Sequence, residues 1–193
     1  MSGVAGGGQE RVGILGGAFN PPHLGHLWLA QEAHARLRLD RVLLVPFGQA
    51  PHRALAADPG AAERLRMADL AARADERLAA SAIEVDRSGP SYMADTLTLL
   101  REIEPAAELT LILGADQGRR LGTWHEPARV LSLARVAAAD RDGIGRDDVV
   151  SALGDLPGAE RIEGFPLPRI EASPTLVRQR VAAGLPIRAA AIR

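Results

Sequence analysis

Leu109-Thr110-Leu111-Ile112-Leu113, stopped by Gly114, is a mostly apolar run of strand length without polar alternation. A strand with water on one face alternates apolar and polar residues. A continuous run predicts burial on both faces, the habit of parallel strands sandwiched between helices. The same signature recurs outward from this run. Residues 12–15 read as a buried strand before a Gly/Pro-rich turn, Arg41–Pro46 as a second and 134–139 as another. A short strand is expected within 78–85 and a weak one near 160–165. Helical spacing fills the intervals at about 24–39, 61–77, 91–103, 147–153 and 175–183, with Leu65, Ala68 and Ala72 sharing one face of the second. Strands alternating with helices predict an α/β fold, a Rossmann-like parallel sheet with helices on both faces. No internal repeat or long linker divides the chain, so residues 11–193 read as one domain behind a flexible Gly-rich tail at 1–10. In such sheets ligands sit beyond the carboxyl ends of the strands.

Composition removes several chemistries. The 193 residues carry 23 Lys+Arg against 24 Asp+Glu, a net charge of −1, and every one of those basic residues is arginine. Without lysine there is no Walker A loop, no Schiff base and no Ser-Lys pair. Without cysteine there is no thiol catalysis, disulfide or Cys-ligated metal. No apolar run approaches the roughly 18–20 residues of a membrane span, and the first residues lack the apolar core of a signal peptide. No basic block points to nucleic acid. A cytoplasmic protein with neither membrane nor nucleic-acid partners is expected, and self-association into a homo-oligomer is left open.

Two stretches carry the chemistry. The first is Gly16-Gly17-Ala18-Phe19-Asn20-Pro21-Pro22-His23-Leu24-Gly25-His26. Glycines directly after a strand let backbone approach a ligand closely. His23 and His26, three apart at a helix start, can present both rings on one face beside unpaired N–H groups and the positive end of the helix dipole. Imidazoles and N–H donors around one point suit a phosphate that gains charge in a transition state. A zinc site is the weaker reading, because no further ligands stand at suitable spacing. A bare His-x-x-His is more often a turn with two surface histidines. The glycines, prolines and preceding strand tip the balance here towards the phosphate site. The second stretch is Ser173-Pro174-Thr175-Leu176-Val177-Arg178. Ser173 suits an N-cap, Pro174 fits the first helical position, and Arg178 follows one turn later. Hydroxyls, N–H groups and a guanidinium fork therefore converge as a second anion site.

Together these stretches resemble the nucleotidylyltransferase superfamily, with its HxGH signature and late S/T-x-x-R helix. Within it the chain is most similar to the bacterial nicotinate-nucleotide adenylyltransferases. The likeness runs from about Arg11 to Arg188. It includes Val45-Pro46-Phe47-Gly48-Gln49-Ala50-Pro51-His52-Arg53, Gly89-Pro90-Ser91-Tyr92-Met93-Ala94-Asp95-Thr96-Leu97, Gly114-Ala115-Asp116 and Leu121-Gly122-Thr123-Trp124. The resemblance implies transfer of an adenylyl group from ATP to nicotinate mononucleotide, with Mg²⁺ arriving on the ATP and no metal site built by the protein. It implies catalytic roles for His23, His26 and Arg178. ATP would meet Gly16, Gly17, Ala18, Phe19, His23, His26, Gly114, Asp116, Ser173, Thr175 and Arg178, with the part from about 170 to 193 closing that site. The mononucleotide would meet Asn20, Arg53, Tyr92, Met93 and Trp124. N–H groups near the start of the 91–103 helix favour a carboxylate over a carboxamide, hence nicotinate.

The chain departs from the family pattern at four places. Pro174 replaces a serine of the late motif, which predicts weaker triphosphate contacts. Arg53 stands where lysine is usual, and arginine brings a different geometry. Met93 stands where threonine is common, leaving backbone contacts there. After Gly184–Arg188 the sequence stops within five residues, where relatives run on into a further helix. Two rival readings share the HxGH motif. One is an adenylyl- or cytidylyltransferase for phosphopantetheine or glycerol phosphate, and the other a nucleotide sensor that has lost catalysis. Four of the six aromatic residues, Phe19, Phe47, Tyr92 and Trp124, fall in the quoted motifs, while Trp28 and Phe165 do not.

Overall fold

The computed structural model describes residues 9–50, 55, 57–141, 143–168 and 173–187. Six parallel strands form its frame: β1 (Arg11–Gly17), β2 (Arg41–Pro46), β3 (Leu78–Ala80), β4 (Glu108–Gly114), β5 (Arg135–Asp140) and β6 (Glu163–Pro166). They lie in the order β3-β2-β1-β4-β5-β6. Every pairing is parallel, with Val12 beside Arg41 on one side and beside Leu109 on the other. That is the strand order of doubly wound nucleotide-binding sheets, and the break between β1 and β4 is where such sheets open a crevice.

Successive side chains of a strand point to opposite faces, and the two cores divide on that rule. Leu109, Leu111 and Leu113 join Val12, Ile14 and Val45 in one core. That core is covered by α3 (Met93–Ile103), α5 (Pro127–Leu133) and α6 (Arg146–Leu153) through residues such as Leu97, Val130 and Val149. Ile112 instead joins Leu15, Val42 and Leu44 beneath α1 (Leu24–Arg36) and α2 (Ala61–Ala72), where Leu27, Ala30 and Ala68 pack. Both faces are dry, which is why the strands read as unbroken apolar runs. Among the described residues no helix is long and apolar enough to cross a membrane.

Several boundaries differ from those expected. The helix expected over 24–39 stops at Arg36, because Arg38 turns left-handed at φ 53° and swings Leu39 into the core. The one expected over 61–77 stops at Ala72, and Asp75 caps the next turn by accepting the Arg77 N–H. α3 begins at Met93 with Tyr92 as its N-cap, two residues after the expected start. Two short helices lay below the reach of periodicity, α4 (Ala115–Gly118) and α5, whose entry turns on Glu126 at φ 49°. The last helix, α7 (Pro174–Ala182), begins as read, with Ser173 as N-cap and Pro174 in the first turn.

Candidate active site

The C-terminal ends of β1, β2, β4 and β5 open into one cleft of about 1130 Å³, large enough for two nucleotides. His23 and His26 stand at its β1 side, locked by a reciprocal cap. His23 is the N-cap of α1, and its Nδ1 accepts the Gly25 N–H at 3.2 Å. The His26 Nδ1 in turn accepts the His23 backbone N–H at 3.2 Å. The two rings lie 3.9 Å apart between centroids, and Phe19 backs His26 at 4.8 Å. With each Nδ1 engaged as an acceptor, a neutral ring keeps its proton on Nε2.

Both rings are neutral at ordinary pH. Burial, then the charge of Arg141, lowers the His23 pKa to about 4. Burial, then the neighbouring His23, lowers that of His26 to about 3. The pair therefore offers two fixed Nε2–H donors rather than two cations. Gly16 leaves room for the tip of the Met93 side chain, which a Cβ there would meet at 2.8 Å.

Another wall of the cleft, at the start of α3, is aromatic. Tyr92 stacks on His125 at 4.2 Å with 29° between the rings, and Trp124 lines the wall beside them. Met93 and Ala94 open α3, so their N–H groups have no intrahelical acceptor. Beneath them Glu84 is buried, takes a 2.6 Å hydrogen bond from the Thr96 hydroxyl, and is bonded by Ser91. Burial outweighs those bonds and raises its pKa.

The structure gathers most of the residues singled out in the sequence. Gly16, Gly17, Ala18, His23, His26, Tyr92, Met93, Gly114, Asp116, Trp124 and Ser173 all line the cleft. Asp116 lies in the first turn of α4, just past the end of β4 at Gly114. Phe19 does not open on the cleft: its side chain is fully buried under His26. Asn20, Thr175 and Arg178 do not line the cleft: Asn20 is buried, and Arg178 donates to its carbonyl at 2.6 Å and to the Thr175 hydroxyl at 3.4 Å. The Ser173 hydroxyl is engaged in the cap, accepting the Leu176 N–H. Arg53 lies outside the described residues. Among the described residues no three His, Asp or Glu side chains gather to hold a metal ion.

Residues 14–180 match the cytidylyltransferase-like family model. The chain is 41% identical to a Thermomicrobium roseum protein named "Probable nicotinate-nucleotide adenylyltransferase", over 93% of this chain and 84% of that one. It is 44% identical to a Roseiflexus sp. (strain RS-1) protein of the same name, over 92% and 88% of the two chains. The chain belongs to the nicotinate-nucleotide adenylyltransferase family. Its fold is that of a Plasmodium falciparum nicotinic acid mononucleotide adenylyltransferase solved in complex with NaAD. The TM-score is 0.71 at 14% identity, over 93% of this chain and 87% of that one.

Several cleft residues of this adenylyltransferase-family chain stand outside the motifs quoted above. Arg141 directly follows β5, so the strand-end rule applied to that strand would have found it. Arg120 and His125 flank a single 3-10 turn at Leu121–Thr123, which leaves no periodic signal. Glu84 sits in a loop after β3, where an acidic residue ordinarily reads as solvated.

Proposed function

We propose that this chain transfers the adenylyl group of ATP to nicotinate mononucleotide, releasing pyrophosphate and forming deamido-NAD for NAD biosynthesis. The observation that carries the reading is the His23–His26 pair, with each Nδ1 engaged in the cap of α1 and both rings lining the cleft beyond the end of β1. An oxygen of the acceptor's 5′-phosphate attacks the α-phosphorus of ATP. The new P–O bond forms as the bond to the bridging α–β oxygen breaks, and pyrophosphate leaves with that electron pair. The attacking group is already an anion, so no protein nucleophile is required, and catalysis is positioning plus charge stabilisation.

The two Nε2–H donors steady the charge that grows on the α-phosphoryl oxygens. They do so without the desolvation that a buried imidazolium would demand. Arg178, with Ser173 and Thr175, holds the outer phosphates from α7, exchanging the Asn20 carbonyl for phosphate oxygens as that late helix closes the ATP site. Gly16, Gly17, Ala18 and Gly114 bring backbone close to the nucleotide, and Phe19 supports His26 from below. At the aromatic wall, the first N–H groups of α3 at Met93 and Ala94 suit a carboxylate, and Trp124 offers a flat face to the pyridine ring. Asn20 and Arg53 belong to this acceptor side in the same reading. Mg²⁺ would ride mainly on the phosphates, with the exposed Asp116 carboxylate at hand in the cleft wall, and would neutralise charge on the leaving pyrophosphate. Residues 11–193 then act as one catalytic unit, in the cytoplasm, without nucleic-acid or membrane partners.

Incubation with ATP, Mg²⁺ and each of nicotinate mononucleotide, nicotinamide mononucleotide and phosphopantetheine, with products separated chromatographically, tests this. Deamido-NAD and pyrophosphate should appear with the first at the highest kcat/KM. Adenylylation of phosphopantetheine alone, or tight ATP binding with no pyrophosphate release, would overturn the assignment.

A further inference from the structure

Behind the cleft lies a deeply buried charge. Arg64 sits on α2 with only 1% of its surface exposed. Its guanidinium donates from Nε to Asp58 Oδ1 at 3.0 Å, and from Nη1 to the carbonyls of Ala18 at 3.2 Å and Phe47 at 2.7 Å. Nη2 donates to the Gly48 carbonyl at 3.1 Å, and the Phe47 ring lies 4.8 Å from the guanidinium carbon. Ala18 follows β1, and Phe47 and Gly48 follow β2, so all three carbonyls lie just past the ends of adjacent strands. There the ladder of the sheet no longer supplies donors, and a buried carbonyl without one is costly. One planar fork serves the loops of two strands.

The loop after β2 is held from its other side as well. The Gly48 N–H donates to the Ser91 hydroxyl at 2.9 Å, and the Ser91 N–H donates to the Gln49 carbonyl at 2.9 Å. Ser91 immediately precedes Tyr92, the N-cap of α3. Gly48 is pinned so closely that a Cβ on it would stand 2.3 Å from the Glu84 carbonyl oxygen. A continuous polar route thus runs from Arg64 through Gly48 and Ser91 to the start of α3.

We propose that Arg64 is a positioning residue for the acceptor half of the cleft. It touches no substrate, and sets where the α3 N-terminus and Tyr92 stand by holding the loop after β2. The inference rests on the proposed adenylyl transfer to nicotinate mononucleotide. Lysine at this position keeps the charge but lacks the planar fork, so it cannot serve two loops and a carboxylate together. Arg64→Lys should raise the KM for nicotinate mononucleotide about tenfold or more, as misplacement of binding groups does, while the KM for ATP, linked to Arg64 through the single 3.2 Å bond to the Ala18 carbonyl, stays within about threefold. Ser91→Ala breaks the same route at its far end and should shift the same constant in the same direction. It decides the matter alone if the lysine variant does not fold, as judged by circular dichroism. Equal changes in both KM values, or unchanged values in a folded variant, overturn the positioning role and leave Arg64 a stabiliser of the fold. The wild-type protein is assayed in parallel. Its failure to use nicotinate mononucleotide would refute the functional reading itself, whereas an active wild type with unselective variants refutes only the role of Arg64.

Discussion

Replacing His26 by asparagine should flatten the dependence of folding stability on pH, by an amount that follows from burial. The His26 pKa stands at about 3 in the folded chain against an ordinary 6.5. A base whose folded pKa is depressed contributes its full stability above the unfolded value and loses it as pH falls towards the folded one, because the unfolded chain binds the extra proton. The window therefore opens near pH 6.5 and runs down to about pH 3. At pH 5 the unfolded side chain is almost wholly protonated and the folded one almost wholly neutral. The loss relative to pH 8 is then about 2 kcal/mol, fixed by the distance of pH 5 below the unfolded pKa rather than by the depth of the shift. Asparagine keeps a side-chain oxygen able to accept the His23 N–H, so the cap survives while the titrating ring is gone. Urea unfolding of nucleotide-free wild type and His26→Asn at pH 8 and pH 5 measures the difference. The wild type should lose about 2 kcal/mol more than the variant across that interval. Equal losses would mean that His26 takes up its proton as easily folded as unfolded. The case for a buried, neutral Nε2–H donor would then fail.

Other outcomes follow from the same geometry. His23→Ala or His26→Ala should lower kcat by about 10²–10³, the usual effect of deleting one preorganised donor to a developing oxyanion, in steady-state assays of pyrophosphate release. Near-normal turnover would remove that ring from the transition state. Trp124→Ala should raise the KM for the mononucleotide several-fold while leaving that for ATP, and an equal loss for both would point to packing instead. Gly48→Ala drives a methyl into the Glu84 carbonyl and should destabilise the protein by about 1–3 kcal/mol, read as a lower Tm; an unchanged Tm would show that the loop has room to yield.

The strands that decide the fold were legible because both their faces are dry. Apolar runs such as those at 42–46 and 111–113 carry that fact in the sequence itself. Helix ends were less so, because a single residue can overrule the periodic pattern. Arg38 and Glu126 adopt left-handed backbone that nothing in their side chains announces. The histidine pair and the start of the late helix were visible because loop chemistry and capping are local. The cap at Ser173 and the reciprocal bonds of His23 and His26 involve neighbours at most three residues apart. Arg64 was invisible for the opposite reason. It stands four and eight residues before Ala68 and Ala72, on their inward face, but an arginine ordinarily reads as solvated whatever its spacing, and only three-dimensional placement reveals carbonyls from residues 16 to 46 positions away. The Tyr92–His125 stack likewise joins segments with no pattern linking them.

The break in strand order that opens the cleft also shapes how the chain is made. β1 finds its first neighbour, β2, early in synthesis, but its other neighbour is β4, with Val12 pairing to Leu109. Until that distant strand leaves the ribosome, the inner edge of β1 remains an apolar, hydrogen-bond-hungry border. The nascent protein must shield it through the making of the intervening helices α1, α2 and α3. Chaperone demand and aggregation during expression should therefore peak before residue 108, and truncations ending short of β4 should be far less soluble than those that include it.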